Sequence, residues 1–177
     1  MPCFGIFPGH VGKDSGAVDI AEGGDFLHTV ESAITLSVAH KVCSLLDLMG
    51  FDYKFLPGSF EARIKMSEGC TCGLSIHADT CTDNRVHGYH VMYYPGSKKG
   101  KLLADNIDKA LEDTFHRARK IHSRRDLAIL KRTSFPCVLV EVGFLSNQID
   151  EAELLQSHYQ HRLAVALVTA LTKAFPV

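Results

Sequence analysis

Hydrophobic positions along this chain switch repeatedly between a strand-like and a helix-like period. Residues 3–7 form a mostly apolar run and predict a first strand. Residues 8–28 are rich in Gly and Asp and predict a long loop, and a loop of that length in a compact domain is usually functional. Val30, Ala33, Ile34, Ala39, Val42, Leu45, Leu46 and Met49 then cover a wide helical face. They predict a helix from Thr29 to Met49, capped by Thr29 or Ser32 and ended by Gly50. Asp52–Leu56 reads as a short strand, Pro57-Gly58 as a turn, and Ser59 as the cap of a short helix reaching Glu68. Strands follow at Leu74–His77 and Val86–Tyr94. Ser97 caps a long helix extended here to Ala118, with Leu103, Ile107, Leu111 and Phe115 four apart on one face. Leu127–Leu130 reads as a short strand and Cys137–Val142 as a buried one. A helical tail runs from Asp150 to Phe175 with a break near Ser157.

Strands alternating with helices predict an α/β single domain spanning residues 1–177, with no separate second domain. The length of 177 residues suits one full core, and 46% hydrophobic against 22% charged residues is ordinary for a globular protein. Lys+Arg 19 against Asp+Glu 20 leaves no basic surplus, so nucleic acid is not an expected partner. The basic stretch Arg117–Arg125 reads as a solvated turn. No apolar stretch is long enough for a membrane span, and Met1-Pro-Cys-Phe-Gly5 does not resemble a signal peptide. A monomer synthesised in the cytoplasm is the expectation. The six cysteines (Cys3, Cys43, Cys70, Cys72, Cys81 and Cys137) lack zinc-knuckle spacing and are expected to be free.

Three strand-like runs carry chemistry. Pro136-Cys-Val-Leu-Val-Glu-Val-Gly-Phe-Leu145 holds a lone carboxylate, Glu141, in apolar surroundings where it needs a cation, a donor set or a proton. An arginine partner in the core is the plain alternative. Cys3-Phe-Gly-Ile-Phe-Pro-Gly-His10 ends in His10, and Cys72-Gly-Leu-Ser-Ile-His-Ala-Asp79 carries His77. Catalytic zinc sites use three protein ligands and keep one position open. His10 and His77 supply two, and Glu31, in the first turn of the predicted helix, is the best third, with Glu22 as fallback. Glu141 then serves as a general base that takes a proton from the attacking water and returns it to the leaving nitrogen.

The ordered blocks Pro8-Gly-His-Val-Gly-Lys-Asp-Ser-Gly-Ala17, Glu31 with Leu36 and Ala39, Ser75-Ile-His-Ala-Asp79, Gly88-Tyr-His-Val-Met-Tyr-Tyr94 and Thr133-Ser-Phe-Pro-Cys-Val-Leu-Val-Glu-Val-Gly-Phe-Leu-Ser-Asn147 resemble the zinc-dependent N-acetylmuramoyl-L-alanine amidases. The resemblance covers almost the whole chain, and the last block is its most specific part. It implies a mostly parallel twisted sheet of about six strands flanked by helices on both faces. It also implies one Zn2+ held by His10, Glu31 and His77, with Glu141 as catalytic acid/base. The implied partner is peptidoglycan, cleaved between the muramic acid lactyl group and L-alanine. A small phage endolysin released through a membrane lesion fits, as does a catalytic domain cut from a longer bacterial enzyme.

The chain departs from the family pattern in several places. Asp14-Ser-Gly-Ala17 stands for Asp-Pro-Gly-Ala, Asp79 for the usual Asn, and Phe55-Leu-Pro-Gly58 for a segment with Thr-Arg. Lys131 stands for an Arg two residues before the Thr-x-x-Pro segment, and the stretch from Asp79 to Gly88 leaves no room for an inserted regulatory helix. Asp14, Asp79, Lys131 and Asn147 are candidates for supporting the ligands or contacting substrate, although Asn147 is better suited to capping the next helix. His28 is a further candidate beside the ligands. Of His87 and His90, at most one faces the site, because residues three apart on a strand point oppositely. Ser75 lacks a second His-Asp pair and is not expected to be a nucleophile. Two rival functions are a non-catalytic zinc-stabilised wall-binding module and a zinc carboxypeptidase or endopeptidase of wall peptides.

Overall fold

A computed structural model of the chain describes residues 1–11, 16, 30–116 and 119–177. The elements are β1 (Cys3–Pro8), α1 (Glu31–Leu48), β2 (Asp52–Phe55), α2 (Phe60–Met66), β3 (Cys72–Asp79) and β4 (Tyr89–Tyr93), then α3 (Lys98–Phe115), β5 (Arg119–Ser123), α4 (Ala128–Arg132), β6 (Cys137–Phe144), α5 (Gln148–Leu154) and α6 (Ser157–Ala174). One six-stranded sheet has the order β2-β1-β3-β6-β4-β5. The first four strands in that order run parallel, β4 pairs antiparallel with β6, and β5 runs parallel to β4. The α/β architecture expected from the alternating elements, and the mostly parallel six-stranded sheet that the resemblance implies, are therefore present.

Side chains alternate across the sheet with period two, and this sorts the core into two parts. Phe4, Ile6, Leu74, Ile76, Val138 and Val140 enter the larger cluster, which α1, α3 and α6 complete. Phe7, Met92, Cys137 and Leu139 face the other way, under α2 and α4, with Phe60 and Ile64 packed against them. Parallel strands covered on both faces read as continuous apolar runs, which is why Cys137–Val142 shows no polar alternation apart from Glu141.

Several sequence expectations are corrected. Leu127–Leu130 contributes to α4, not to a strand; a four-residue apolar run cannot fix its own period, and here Ile129 and Leu130 are the buried side of one helical turn. The long helix α3 ends at Phe115, before Ala118, because His116 adopts a left-handed backbone (φ 51°). The supposed basic turn contains β5, a polar edge strand whose partner is β4. The N-cap of α1 is Val30, without a side-chain hydrogen bond; Ser32 lies inside the helix, and Thr29 lies outside the described residues. Ser97 does cap α3, accepting from the Gly100 backbone N–H at 3.1 Å, and α5 and α6 separate just before Ser157. All six cysteines are free thiols. Burial pushes those of Cys43 and Cys137 up to about 12, so they stay protonated at neutral pH.

Candidate functional site

The parallel strands β1, β3 and β6 end on the same edge of the sheet, and loops leaving such edges are where open α/β sheets hold ligands. β1 runs out at Pro8. Gly9 N–H then donates to Ile76 O at 2.8 Å, and His10 turns back with a left-handed backbone (φ 47°). A side chain at position 9 has no room: an added Cβ would sit 2.6 Å from His77 Nδ1 and 2.9 Å from Ile76 O. Gly16, also left-handed (φ 69°), closes over the same spot, where a Cβ would meet Glu31 Oε2 at 2.5 Å and His10 Cγ at 2.7 Å. Thr35 ties α1 to this turn by donating its hydroxyl to Gly9 O at 2.8 Å.

That turn brings His10, Glu31 and His77 together, with their donor atoms within 4.8 Å of one another. Glu31 is 4% exposed at the first turn of α1. Its Oε1 lies 3.0 Å from His77 Nδ1 and accepts from the Ala78 backbone N–H at 3.2 Å, while its Oε2 lies 3.7 Å from His10 Nε2. The two imidazole rings meet edge-on, 89° apart. In a tetrahedral site with zinc–ligand bonds near 2.1 Å, donor atoms sit about 3.4 Å from one another. With one donor atom from each residue the three lie within 4.8 Å of one another, somewhat wider than that spacing at most, and the His-Glu-His donor set is one that zinc accepts, so these residues fit such an ion.

Glu141 occupies the register position beside His77 on β6, with His90 of β4 on its other side. The three side chains therefore point to the same face. Part of Glu141 reaches the surface, but its Oε2 is enclosed without a hydrogen-bond partner among the described residues. Burial raises its carboxyl well above the usual range, and the charges of Asp79 and Glu31 push it the same way. The alternative of an arginine partner in the core is not met: no ion pair joins Glu141 to an arginine among the described residues. His90 is held below its ordinary value by burial and by His122, whose ring lies 5.3 Å away. His87 is exposed, so of the two histidines only His90 shares the face of Glu141.

The remaining sequence candidates divide. Asp79 stands at the end of β3, where the register with β6 slips, and its Oδ1 accepts from the Thr80 backbone N–H at 2.8 Å. Asn147 caps α5, accepting from the backbone N–H groups of Ile149 and Asp150 at 3.1 Å each, and its amide donates to Asn84 O. Lys131 is exposed on α4. Asp14, Glu22 and His28 lie outside the described residues.

A cleft of about 320 Å³ opens beside His10 and His77. Phe60 of α2, Ile129 of α4 and Leu139 of β6 give it apolar walls, and Ser75 and Arg63 give it polar ones. Arg63 carries no signal in the sequence. Glu61-Ala-Arg-Ile-Lys65 reads as the solvated face of a short helix, yet Arg63 is 9% exposed, with its guanidinium 5.5 Å from the Phe7 ring centroid.

Comparison with known proteins places the sequence and the fold. The chain is 28% identical to the germination-specific N-acetylmuramoyl-L-alanine amidase of Bacillus subtilis over 95% of its own length and 77% of that protein's. It is 25% identical to the probable cell wall amidase LytH of Staphylococcus saprophyticus, again over 95% of this chain but only 56% of that one. Among solved structures, the catalytic domain of CwlV, an N-acetylmuramoyl-L-alanine amidase from Bacillus (Paenibacillus) polymyxa, superposes with a TM-score of 0.86 at 27% identity, covering 98% of this chain and 97% of that one. The sequence profile described as N-acetylmuramoyl-L-alanine amidase matches residues 5–173, and the chain belongs to that family.

Proposed function

We propose that this protein hydrolyses the amide between the muramic acid lactyl group and L-alanine of peptidoglycan, with His10, Glu31 and His77 holding one zinc ion and Glu141 moving the proton. The observation that carries the reading is the enclosed, unpaired Oε2 of Glu141 at the register position beside His77. A carboxylate left without a partner in the core is costly unless the site's chemistry uses it.

The bound ion would polarise the scissile carbonyl and make water a better nucleophile. The protein's own contribution is positional. Glu31 lies within hydrogen-bond distance of the His77 imidazole, and its hydrogen bond from Ala78 N–H keeps its carboxylate fixed to β3. Glu141 in its ionised form takes a proton from the attacking water. It then returns that proton to the amide nitrogen as the carbon–nitrogen bond breaks, leaving a free L-alanine amino terminus and a lactyl carboxylate. A cation in the site would lower the Glu141 carboxyl from the raised value that burial imposes, towards a range suited to both roles. The apolar walls of the cleft exclude water from the peptide side of the substrate.

Incubation with purified cell wall, followed by counting new L-alanine amino termini, tests the reaction. Mass analysis of the fragments separates it from carboxypeptidase or endopeptidase cleavage. Glu141→Ala is expected to retain the metal and lose activity by roughly 100- to 10,000-fold. His10→Ala and His77→Ala are expected to lose the metal itself. Normal hydrolysis by the Glu141 variant would sink the assignment.

A further inference from the structure

The cleft beside His10 and His77 contains two polar groups that the proposed reaction does not use. Arg63 is 9% exposed, and its Nε is enclosed without a hydrogen-bond partner. No hydrogen bond or ion pair holds its guanidinium among the described residues. Ser75 is 1% exposed, and its Oγ likewise lacks a partner among the described residues. Both residues line the cleft. They also flank the same ring: Ser75 is the register partner of Phe7 on β1, and the Arg63 guanidinium lies 5.5 Å from the Phe7 centroid.

A buried guanidinium normally has an anion beside it, because an uncompensated buried charge is strongly destabilising. The Phe7 ring offers a cation–π contact, with Cζ 5.5 Å from its centroid, but no acceptor for the guanidinium N–H donors. Among the described residues nothing nearby supplies the missing charge. Burial alone pulls Arg63 below the usual guanidinium value, and the neighbouring Cys137 thiol, pushed up to about 12, is neutral at pH 7. A planar fork of donors with a hydroxyl alongside matches a carboxylate.

We propose that Arg63 and Ser75 form a site for a free carboxylate on the stem peptide, at the second residue beyond the scissile amide. The placement follows from strand geometry and rests on the amidase reading above. Ser75 lies two positions before His77 on the same face of β3, roughly 7 Å along the strand. An extended peptide covers about 3.3–3.6 Å per residue, so a carboxylate at that distance from the reacting atoms belongs to the second residue. The chain therefore selects walls in which that carboxylate is free over walls in which it is amidated.

Two synthetic N-acetylmuramoyl-L-alanyl-D-glutamate substrates, both blocked as the methylamide at the side-chain γ-carboxyl and differing only in a free carboxylate or a carboxamide at the α-position of the second residue, test this with the metal-loaded protein. The native protein is expected to favour the free acid by on the order of 10- to 100-fold in kcat/KM, the worth of a charge-assisted hydrogen bond, with most of the difference in KM. Arg63→Met should bring the ratio close to one, and Arg63→Lys, which keeps the charge but not the fork, should leave an intermediate ratio. Calorimetric binding of the L-alanyl-D-glutamate dipeptide is expected to weaken by a similar factor in both Arg63→Met and Ser75→Ala. Equal cleavage of the two substrates by the native protein, or an unchanged ratio in Arg63→Met, would overturn the carboxylate site and leave the amidase reading intact. Cleavage of neither would overturn the amidase reading, and the calorimetry would then decide the carboxylate site by itself.

Discussion

The two faces of the sheet obey different rules, although the same strands build both. On the face covered by α1, α3 and α6, β3 contributes Leu74, Ile76 and Ala78, all fully buried among aliphatic neighbours. On the face covered by α2 and α4, the same strand contributes Ser75, His77 and Asp79. β6 repeats the division, with Val138, Val140 and Val142 on one side and Cys137, Leu139 and Glu141 on the other. The first face satisfies the demands of stability. The second keeps the enclosed atoms Arg63 Nε, Ser75 Oγ and Glu141 Oε2 without partners among the described residues, and a structure optimised only for folding would eliminate them. A period of two lets one strand serve both purposes, because a residue and its neighbour never share a face.

The largest effect that tests this contrast is on stability. Ile76→Ala should cost about 2–5 kcal/mol, through lost burial and the cavity left in a close-packed cluster. Ser75→Ala, one residue earlier on the same strand, should be nearly neutral or slightly stabilising, because it removes an enclosed hydroxyl that has no partner. Urea unfolding of the two variants gives the comparison directly. Equal losses would mean that the cleft face is as tightly specified as the other.

A smaller effect is expected where the backbone passes closest to the site. Gly9→Ala would push a Cβ to within 2.6 Å of the His77 ring and 2.9 Å of Ile76 O. The ring must turn away, and the Ile76 carbonyl, which accepts the Gly9 N–H within the sheet, must shift as well. Metal affinity is expected to drop about 10- to 100-fold, the usual cost of disturbing the support of a ligand, and the unfolding midpoint of the metal-free protein is expected to fall with it because backbone has to move. A competition titration with a chelator measures the first, and thermal melting the second. Unchanged affinity would show that the ring has slack.

Legibility in the sequence follows the same division. The apolar face announces itself by periodicity, so β1, β3, β6, α1 and the inward stripe of α3 are readable. His10, His77 and Glu141 are readable because a charged or titratable residue stands out in an apolar run. Glu31 is weaker, being one acid in a first turn where acids are common for electrostatic reasons. Arg63 is invisible, since α2 is seven residues long and Glu61, Arg63 and Lys65 alternate as on a solvated helix; only the approach of α2 to Phe7 buries the middle one. β5 is hidden for the opposite reason. Its sequence Arg-Lys-Ile-His-Ser is polar because it is an edge strand, and edge strands are kept charged. The Leu127–Leu130 run fails by length, being too short to show a period.

The subtlest test concerns Glu141 and pH. Its folded carboxyl is raised well above the ordinary value of 4.5, first by burial and then by the Asp79 and Glu31 charges. Between those two values the folded metal-free protein holds a proton that the unfolded chain has released. The folded state then binds more protons, so stability falls as pH rises from 4.5 until Glu141 itself ionises. Glu141→Gln removes that group from the balance. After chelation, the melting temperature of the native protein should decline across this window more steeply than that of Glu141→Gln, with the gap closing at lower pH, where both carry a neutral side chain. A cation in the site lowers the folded value, so restoring zinc should flatten the native curve towards that of the variant. Parallel curves in the chelated proteins would mean that Glu141 is already compensated, and the contrast between the two faces would then rest on Arg63 and Ser75 alone.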